Sequence, residues 1–334
     1  MAAVPPLRIA ALLPHVEVFG GVRRYIELGN ALTDRGHRFV LFHPSGEKPA
    51  WLELRAETRP FADLEREPFD VALCGEPTIL ESLTRIPAAR RYFYFVLEGH
   101  KREREVVRRR DLLFLGNSEG ICRRLENKYG VAVDRAAGGV NPDIFHPETR
   151  PPADGSFRVL CYGRITRRRK GVPEVIRAAE RLARKGRSMR LILFDTPVGR
   201  DKRDPRPLVK TSLPFDFHLG LPQEKMAWLY AQADVFVSAE RRAGWSNTCA
   251  EAMACGRPVV CTPSGTSDFA EDGRTALVVP RPSPRLLARA VERLRLDPEM
   301  GEALAAAGRE RILSFRWEAL AERLEGLFRA SGPN

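Results

Sequence analysis

Short apolar runs alternate with amphipathic segments throughout the first half of the chain. The apolar runs, which we interpret as β-strands, are residues 7–14, 38–44, 69–75, 91–99 and 111–118, with a shorter one at 133–139. Between the first two runs, apolar residues recur at helical spacing before Gly36; they are Val22, Tyr25, Ile26, Leu28 and Leu32. Strands that alternate with helices in this way are typical of parallel β-α-β units in a doubly wound sheet.

The same alternation starts again after a proline-rich stretch at residues 145–156, which we interpret as a linker. The later runs predict strands at 157–163, 189–195, 235–240 and 258–262, and helices at 171–186, 222–234, 247–255, 283–296, 299–314 and 316–331. The pattern therefore predicts an α/β protein of two Rossmann-like domains that face each other across a cleft. Ligands of such sheets bind at the carboxyl ends of the strands.

We place the domain boundaries by this pattern. Residues 1–150 form an N-terminal Rossmann-like domain, and residues 151–315 form a C-terminal Rossmann-like domain. Residues 316–334 form a C-terminal helix that we expect to pack back on the first domain.

Composition narrows the class of protein. The chain has 334 residues, of which 43% are hydrophobic and 29% charged, enough for two cores and not typical of disorder. The six cysteines show no C-x-x-C spacing, and no histidine lies near them at zinc-finger spacing. No apolar run approaches the length of a membrane span, and the first residues lack the basic region of a secretion signal. We therefore expect a cytoplasmic protein with buried, reduced thiols and no metal.

The chain is strongly basic, with a net charge of +12 and only eight lysines among its 55 basic residues. Arginine suits bidentate contacts to phosphate and carboxylate, although a GC-rich genome also enriches it. The positive charge alone is compatible with three kinds of anionic partner: nucleic acid, an anionic membrane surface and a nucleotide-activated substrate.

The segment "AGWSNTCAEAMACGRPVVCTPSGTSDF" (243–269) contains the first candidate binding site. A turn with Gly244, Ser246 and Asn247 leads into a helix, and a helix start presents unpaired N–H groups and a positive dipole end. Small residues would let a phosphate approach that backbone. The alternative is ordinary helix capping by Ser246 or Asn247.

Gly20 and Gly21 present a similar feature, since they follow the first strand and open a helix. They are not part of a G-x-G-x-x-G fingerprint, so a dinucleotide site is not indicated. The alternative is a tight turn between strand and helix.

The stretch "YGRITRRRKG" (162–171) is a second candidate site. Arg164 and Lys170 lie on a loop between a strand end and a helix, where cations would reach a diphosphate in the cleft. The three arginines at 167–169 are more typical of a solvated basic run, but spacing alone does not separate them from Lys170.

Together these elements resemble the retaining GT-B glycosyltransferases of the family-4 type, the glycosyl transferases group 1. The resemblance is carried, in chain order, by residues 20–37, 138–147, 162–171, 218–237, 244–269 and 315–324, and so covers nearly the whole chain. It implies transfer of a sugar from a nucleotide-diphospho-sugar to a glycan, lipid-linked or small-molecule acceptor with retention of configuration. It also implies that no metal and no cofactor take part.

The resemblance further implies a role for individual residues. Arg164 and Lys170 would neutralise the leaving diphosphate, and Glu251 would hold the ribose hydroxyls. The nucleotide-sugar would be bound by Gly20, Gly21, Gly163, Gly244, Trp245, Ser246, Asn247 and Thr248. In the first domain, either Glu98 or His100 would face the sugar, although His100 could equally be a surface residue that begins a basic helix.

One position departs from the family pattern. The family usually has two glutamates eight residues apart, and here Ala243 stands at the first position while Glu251 stands at the second. Glu240 lies three residues earlier and is not at the family position. Since the missing carboxylate usually contacts the transferred sugar, the identity of the donor sugar stays open.

Two competing functions remain. The basic segment at 100–111 and the neighbouring segment "RRYFYFV" at 90–96 suit a protein that binds nucleic acid or an anionic membrane without transferase activity. A GT-B epimerase would need an acid and a base that the sequence does not indicate. We favour the transferase, expect no nucleic-acid partner, and include peripheral contact with the inner membrane face through residues 91–95 and 101–110 as an expectation.

Overall fold

The computed structural model describes residues 5–97, 99–152, 154–196 and 204–330. The strands are β1 (Arg8–Leu12), β2 (Arg38–His43), β3 (Glu57–Pro60), β4 (Phe69–Cys74), β5 (Ala88–Phe95), β6 (Leu113–Gly116), β7 (Asp134–Arg135), β8 (Phe157–Tyr162), β9 (Met189–Asp195), β10 (Phe215–Leu219), β11 (Val235–Ser238), β12 (Val259–Cys261) and β13 (Leu277–Val278). The helices are α1 (Gly20–Asp34), α2 (Leu80–Arg85), α3 (Glu103–Val106), α4 (Glu119–Tyr129), α5 (Val172–Ala183), α6 (Met226–Ala231), α7 (Asn247–Ala254), α8 (Pro284–Leu296), α9 (Pro298–Leu313) and α10 (Trp317–Ala330).

The chain divides into two compact units. The first consists of residues 1–139 and 317–334, and the second of residues 140–316. The sequence analysis placed the boundaries at 150/151 and 315/316 instead. The proline-rich stretch at 145–156 therefore belongs to the second unit and leads directly into β8.

The first unit is built on a seven-stranded parallel sheet in the order β3-β2-β1-β4-β5-β6-β7. Its central strands are apolar on both faces because helices cover both faces of such a sheet. In β1, Ile9 to Leu12 have no exposed surface, and Tyr92 to Phe95 in β5 are buried as well.

Helix α10 belongs to the core of the first unit. Its residues Leu320, Leu324 and Phe328 lie in the same apolar cluster as the buried face of α1. Phe328 packs on Tyr92 with a ring separation of 5.2 Å. Gly139 lies so close to the Trp317 ring that any side chain at residue 139 would overlap it. The last helix thus extends the first unit.

The second unit is built on a six-stranded parallel sheet in the order β10-β9-β8-β11-β12-β13. Its core combines β8, β9 and β11 with the apolar faces of α5 and α8. The two parallel α/β sheets confirm the predicted fold class.

The strands that the sequence analysis missed are short or lie at sheet edges. β3 reads "ETRP" and has no apolar residue, β13 has two residues, and β10 is partly exposed at the edge of its sheet. The predicted strand at 91–99 was placed too late, since β5 covers 88–95 and Leu97 is already exposed. Edge strands carry a weak apolar pattern because one side faces solvent.

All six cysteines are buried and none is in a disulfide. Among the residues that the structure describes, no helix combines the length and the apolar character that crossing a bilayer requires.

Two carboxylates hold arginine clusters together at the surface of the first unit. Glu67 accepts hydrogen bonds from Arg38 and Arg59, and the bond from Arg38 is the largest cause that lowers its pKa from 4.5 to about 2. Glu325 on α10 accepts from Arg35 and Arg329, and the Arg35 bond likewise lowers its pKa to about 2. Both groups favour the folded state when ionised.

These values predict an acid-dependent loss of stability. A carboxylate with a depressed folded pKa stabilises fully above its unfolded value of 4.5 and loses that contribution as the pH falls towards 2. We expect Glu325→Gln to lower the urea midpoint at pH 7 and to flatten its dependence on pH in this range. Glu322→Gln, an exposed change on the same helix, is the control and should behave as wild type. An unchanged pH profile for Glu325→Gln would contradict this account.

Candidate active site

The candidate site lies on four loops of the second unit. β9, β8, β11 and β12 are consecutive neighbours in a parallel sheet, so the loops after them emerge at the same edge. These loops contain Arg164 and Lys170, the end of β9 at Asp195, the turn at 239–246, and the segment 262–266. Nearly every residue that the sequence analysis assigned to nucleotide-sugar binding in this unit lies on them or on α7.

Arg164 is held by a carboxylate at the end of the neighbouring strand. Its Nε donates to both oxygens of Asp195, at 3.0 and 3.3 Å, and its Nη2 also donates to the carbonyl of Thr196. Asp195 is buried, and its Oδ1 accepts a further bond from the amide of Thr196 at 2.8 Å. The guanidinium is therefore fixed at the carboxyl end of the sheet with 15% of its side chain exposed.

Lys170 is held by a second buried carboxylate. Its Nζ donates to Oε1 of Glu240, whose side chain is 4% exposed, while Lys170 keeps 19% exposure. The backbone carbonyl of Glu240 accepts from the hydroxyl of Thr262 at 2.6 Å, which ties the loop after β11 to the loop after β12. Each candidate cation thus has its own counter-ion.

Tyr162, the last residue of β8, joins the two cations. The guanidinium carbon of Arg164 lies 5.6 Å from the ring centroid, and Nζ of Lys170 lies 5.2 Å from it. Both distances are in the range of cation–π attraction. Burial raises the pKa of Tyr162 well above its ordinary value, and the charge of Asp195 raises it further, so the phenol stays neutral. One ring therefore holds both cations near each other.

Two glycines permit the close packing of these loops. Gly171 has a φ of +66°, and a Cβ there would overlap the carbonyl of Ala239, which directly precedes Glu240. At Gly163 a Cβ would lie 3.0 Å from the ring of Phe217 and 3.2 Å from Cβ of Leu193. Packing against neighbouring strands explains the glycine at residue 163 without any ligand.

The turn before α7 is supported from behind by the loop after β12. The amide of Ala243 donates to Oγ of Ser264 at 2.9 Å, and the amide of Ser246 donates to the carbonyl of Gly265 at 2.8 Å. The Ser246 amide is therefore already engaged. The first-turn amides of α7, from Asn247 to Cys249, have no acceptor within the helix. The donors that this helix start offers to an anion thus begin at Asn247 and Thr248 rather than at Ser246.

Trp245 anchors the turn through its side chain. Its ring packs on Phe269 at 4.8 Å and on Phe315 at 5.3 Å, and it is 7% exposed. Gly244 beside it is buried as well. Trp245 therefore fixes the position of the turn by packing, and only its backbone could meet a phosphate.

Glu251 lies in α7, one turn beyond the helix start, and is 7% exposed. Its Oε2 accepts a hydrogen bond from the hydroxyl of Tyr230 at 2.8 Å. Burial raises the pKa of Tyr230 well above its ordinary value, and the charge of Glu251 adds to this, so the phenol remains a donor. The expected ribose carboxylate is thus oriented by a neighbouring tyrosine.

The candidate residues of the first unit are less closely grouped. Gly20 and Gly21 are the first residues of α1, and a Cβ at Gly21 would come no closer than 3.9 Å to the side chain of Val96. Their amides have no acceptor within the helix. His100 lies with Nε2 3.8 Å from Oε1 of Glu76. Glu98 lies outside the described residues.

The loop that carries His100 is anchored by Glu103. This buried carboxylate accepts from Arg124, from the hydroxyl of Tyr129 at 2.8 Å and from the amide of Gly99 at 3.2 Å. Burial alone would raise the pKa of Glu103, but these bonds lower it to about 2.

The aromatic part of the proposed membrane contact is wrong. Tyr92 to Phe95 are at most 4% exposed because they form the core of β5. In the basic segment, Arg102 pairs with Glu105 and Arg109 pairs with Asp111, so two of its arginines are engaged in ion pairs.

Sequence reasoning missed Asp195 and the structural role of Tyr162, and it set Glu240 aside. A usable signal existed for Asp195, since an acidic residue that ends an apolar run in an α/β domain lies at the carboxyl edge of the sheet. Glu240 also follows a buried strand, and its pairing with Lys170 depends on the contact between two loops that are 70 residues apart.

Comparison with known proteins agrees with this architecture. Residues 156–297 match the model of the family described as Glycosyl transferases group 1. A D-inositol 3-phosphate glycosyltransferase of Corynebacterium diphtheriae is 28% identical over 68% of this chain and 57% of the relative. One of Pseudarthrobacter chlorophenolicus is 33% identical over 57% of this chain and 50% of the relative. The chain thus spans little more than half the length of these curated relatives.

Solved structures match over nearly the whole chain. Sucrose-phosphate synthase from Thermosynechococcus elongatus aligns with a TM-score of 0.78 at 20% identity, covering 97% of this chain and 98% of that one. Anabaena HepE, solved with UDP and glucose, aligns with a TM-score of 0.74 at 16% identity, covering 97% and 100%. At these identities the likeness concerns the fold. Residues 156–297 are therefore similar to the glycosyl transferases group 1, and the two parallel α/β units share the fold of these two solved structures.

Proposed function

We propose that this chain is a glycosyltransferase that moves a sugar from a nucleotide-diphospho-sugar to an acceptor with retention of configuration. One observation carries the proposal: Arg164 and Lys170 converge on the Tyr162 ring at the carboxyl edge of a sheet whose next strand leads to the start of α7. Two fixed cations and a helix start together suit a diphosphate. The family match and the glycosyltransferase relatives support the same reaction class.

The hard step of this reaction is departure of the nucleoside diphosphate. As the bond between the anomeric carbon and the phosphate oxygen breaks, its electron pair stays on that oxygen, where negative charge grows. Arg164, Lys170 and the amides at the start of α7 would stabilise that charge without reorganising, because carboxylates and an aromatic ring already hold the cations in place. Asp195 and Glu240 each form an ion pair with one of these cations.

The remaining candidates divide between the two units. In the second unit, Glu251 would accept bonds from the ribose hydroxyls. In the first unit, the amides of Gly20 and Gly21 and the side chain of His100 or Glu98 would act on the sugar or the acceptor. The acceptor would be a glycan, a lipid-linked sugar or a small molecule, and the curated relatives named for D-inositol 3-phosphate favour a small phosphorylated polyol.

A ligand screen tests the proposal. We expect one of UDP, GDP, ADP and dTDP to raise Tm by an amount that grows with the logarithm of its concentration, since a ligand at 100 times its Kd stabilises by about 2.7 kcal/mol. CMP should stabilise less because it lacks the second phosphate. Salt-dependent DNA binding without stabilisation by any nucleoside diphosphate would instead favour the nucleic-acid-binding alternative.

The two cations should act on rate more than on binding. Arg164→Ala and Lys170→Ala should each reduce turnover by about 10²-fold or more, the scale of losing one oxyanion donor, while donor affinity falls less. Arg167→Ala is the matched control: Arg167 lies exposed on the same loop and should have little effect. Equal losses at Arg167 and Lys170 would show that the loop acts only as a diffuse positive field.

The stereochemistry of the product is an independent test. The product should keep the anomeric configuration of the donor, because the matching motifs belong to retaining enzymes. Proton NMR of the product measures the coupling of the anomeric proton in the new glycosidic linkage. An inverted linkage would overturn the retaining mechanism while leaving transferase activity in place.

The ribose contact can be tested with a modified ligand. Glu251→Ala should weaken binding of the preferred nucleoside diphosphate by about 1.5–3 kcal/mol, the usual loss for a charged hydrogen bond. The 2′-deoxy analogue of that nucleotide should bind the wild-type chain more weakly than the nucleotide itself does. The Glu251→Ala variant, which has already lost the contact, should bind the analogue no more weakly than the nucleotide. Glu224→Ala, at an exposed position of the same unit, serves as the control and should bind both ligands as the wild type does. If removal of the 2′-hydroxyl weakens binding to Glu251→Ala as much as it weakens binding to the wild type, Glu251 does not contact that hydroxyl.

A further inference from the structure

The turn between β11 and α7 contains an unusual group of buried polar atoms. Oε2 of Glu240, Nε1 of Trp245 and Oγ of Ser246 are all buried, and none has a hydrogen-bond partner in the part of the chain that the structure describes. Buried polar groups in native proteins nearly always have a partner. Of these three atoms, Oε2 of Glu240 is the one whose side chain holds a candidate cation, Lys170.

Glu240 is the most specific of the three. Its Oε1 is bound to Lys170, and its backbone carbonyl accepts from Thr262, so the residue is fixed from two sides. Its Oε2 accepts no hydrogen bond from the residues that the structure describes, and only 4% of the side chain is exposed. Holding an ionised oxygen in this state is costly unless a donor arrives.

The chemistry of a carboxylate restricts what that donor can be. An ionised carboxylate only accepts hydrogen bonds, and a diphosphate bridge has no proton to give at neutral pH. Oε2 therefore cannot pair with the phosphates that Lys170 is proposed to bind. It needs a hydroxyl group, and the hydroxyl-rich part of the donor next to the phosphate at the reacting carbon is the sugar that is transferred.

We propose that Glu240 binds a hydroxyl group of the transferred sugar through Oε2, while its Oε1 holds Lys170 in place. Glu240 thereby contributes to the choice of donor sugar. This inference rests on the proposed transferase function and adds a residue that selects the substrate.

The test compares a nucleotide-sugar with its bare nucleotide. Two pairs of probes are used, UDP with UDP-glucose and GDP with GDP-mannose. The variants are measured with the pair that stabilises the wild-type chain. In Glu240→Gln the amide oxygen would face Lys170, which leaves an NH2 group where Oε2 stood. We expect this variant to bind the nucleotide-sugar roughly 10- to 100-fold more weakly, the range for a lost charged hydrogen bond, with the nucleoside diphosphate bound as well as before or better.

Control variants separate binding from packing. Glu174→Gln removes the carboxylate that pairs with Arg241 on a neighbouring segment and should leave both affinities unchanged. Glu240→Ala should reproduce the loss of nucleotide-sugar affinity, and the Tm of each variant without ligand reports whether it folds. Deoxy analogues of the donor sugar identify the hydroxyl that Glu240 contacts. Removal of that hydroxyl should weaken binding to the wild-type chain and should leave binding to Glu240→Gln unchanged.

The outcomes are distinguishable. Equal losses for nucleotide and nucleotide-sugar would show that Glu240 only positions Lys170, and unchanged affinities would remove it from the site; either result overturns the inference. Both results require a wild-type chain that binds the nucleotide-sugar. Failure of the wild type to bind any probe or to transfer sugar would instead refute the proposed function.

Discussion

The candidate site depends on the contact between the loop after β8 and the loop after β11. β8 and β11 are neighbours in the sheet, and Gly171 lets one loop lie directly against Ala239 of the other. That contact places Lys170 beside Glu240, and the resulting ion pair is buried on the carboxylate side and partly open on the cation side. Without a glycine at residue 171 the two loops could not approach, and the cation would lose its fixed position.

This arrangement addresses an electrostatic problem. Two cations that are close to one ring repel each other, and both would turn towards solvent unless something held them. Asp195 and Glu240 offset the repulsion, each from the end of a different strand, while Tyr162 offers a neutral surface that attracts both. The two carboxylates therefore offset the two positive charges and hold the cations at the carboxyl edge of the sheet.

The fold was largely predictable because its signals are local. Apolar runs such as 157–163 and 189–195 lie within one residue of the observed strands, since a parallel sheet covered on both faces needs continuous apolar segments. The edge strands β3 and β13 could not be found in this way. The membership of α10 in the first unit comes from contacts with residues about 300 positions earlier, such as the ion pair between Arg35 and Glu325.

The site was predictable only in part, for a physical reason. Motifs identified Arg164, Lys170 and Glu251, because each lies within a recognisable local pattern. Their partners Asp195, Glu240 and Tyr230 come from separate segments, and nothing local marks an acid or a phenol as the partner of a given residue. Sequence analysis even set Glu240 aside because it lies three residues from the expected position. In the folded unit, what counts is the distance from Lys170, and Glu240, two residues beyond the end of β11, lies beside that cation.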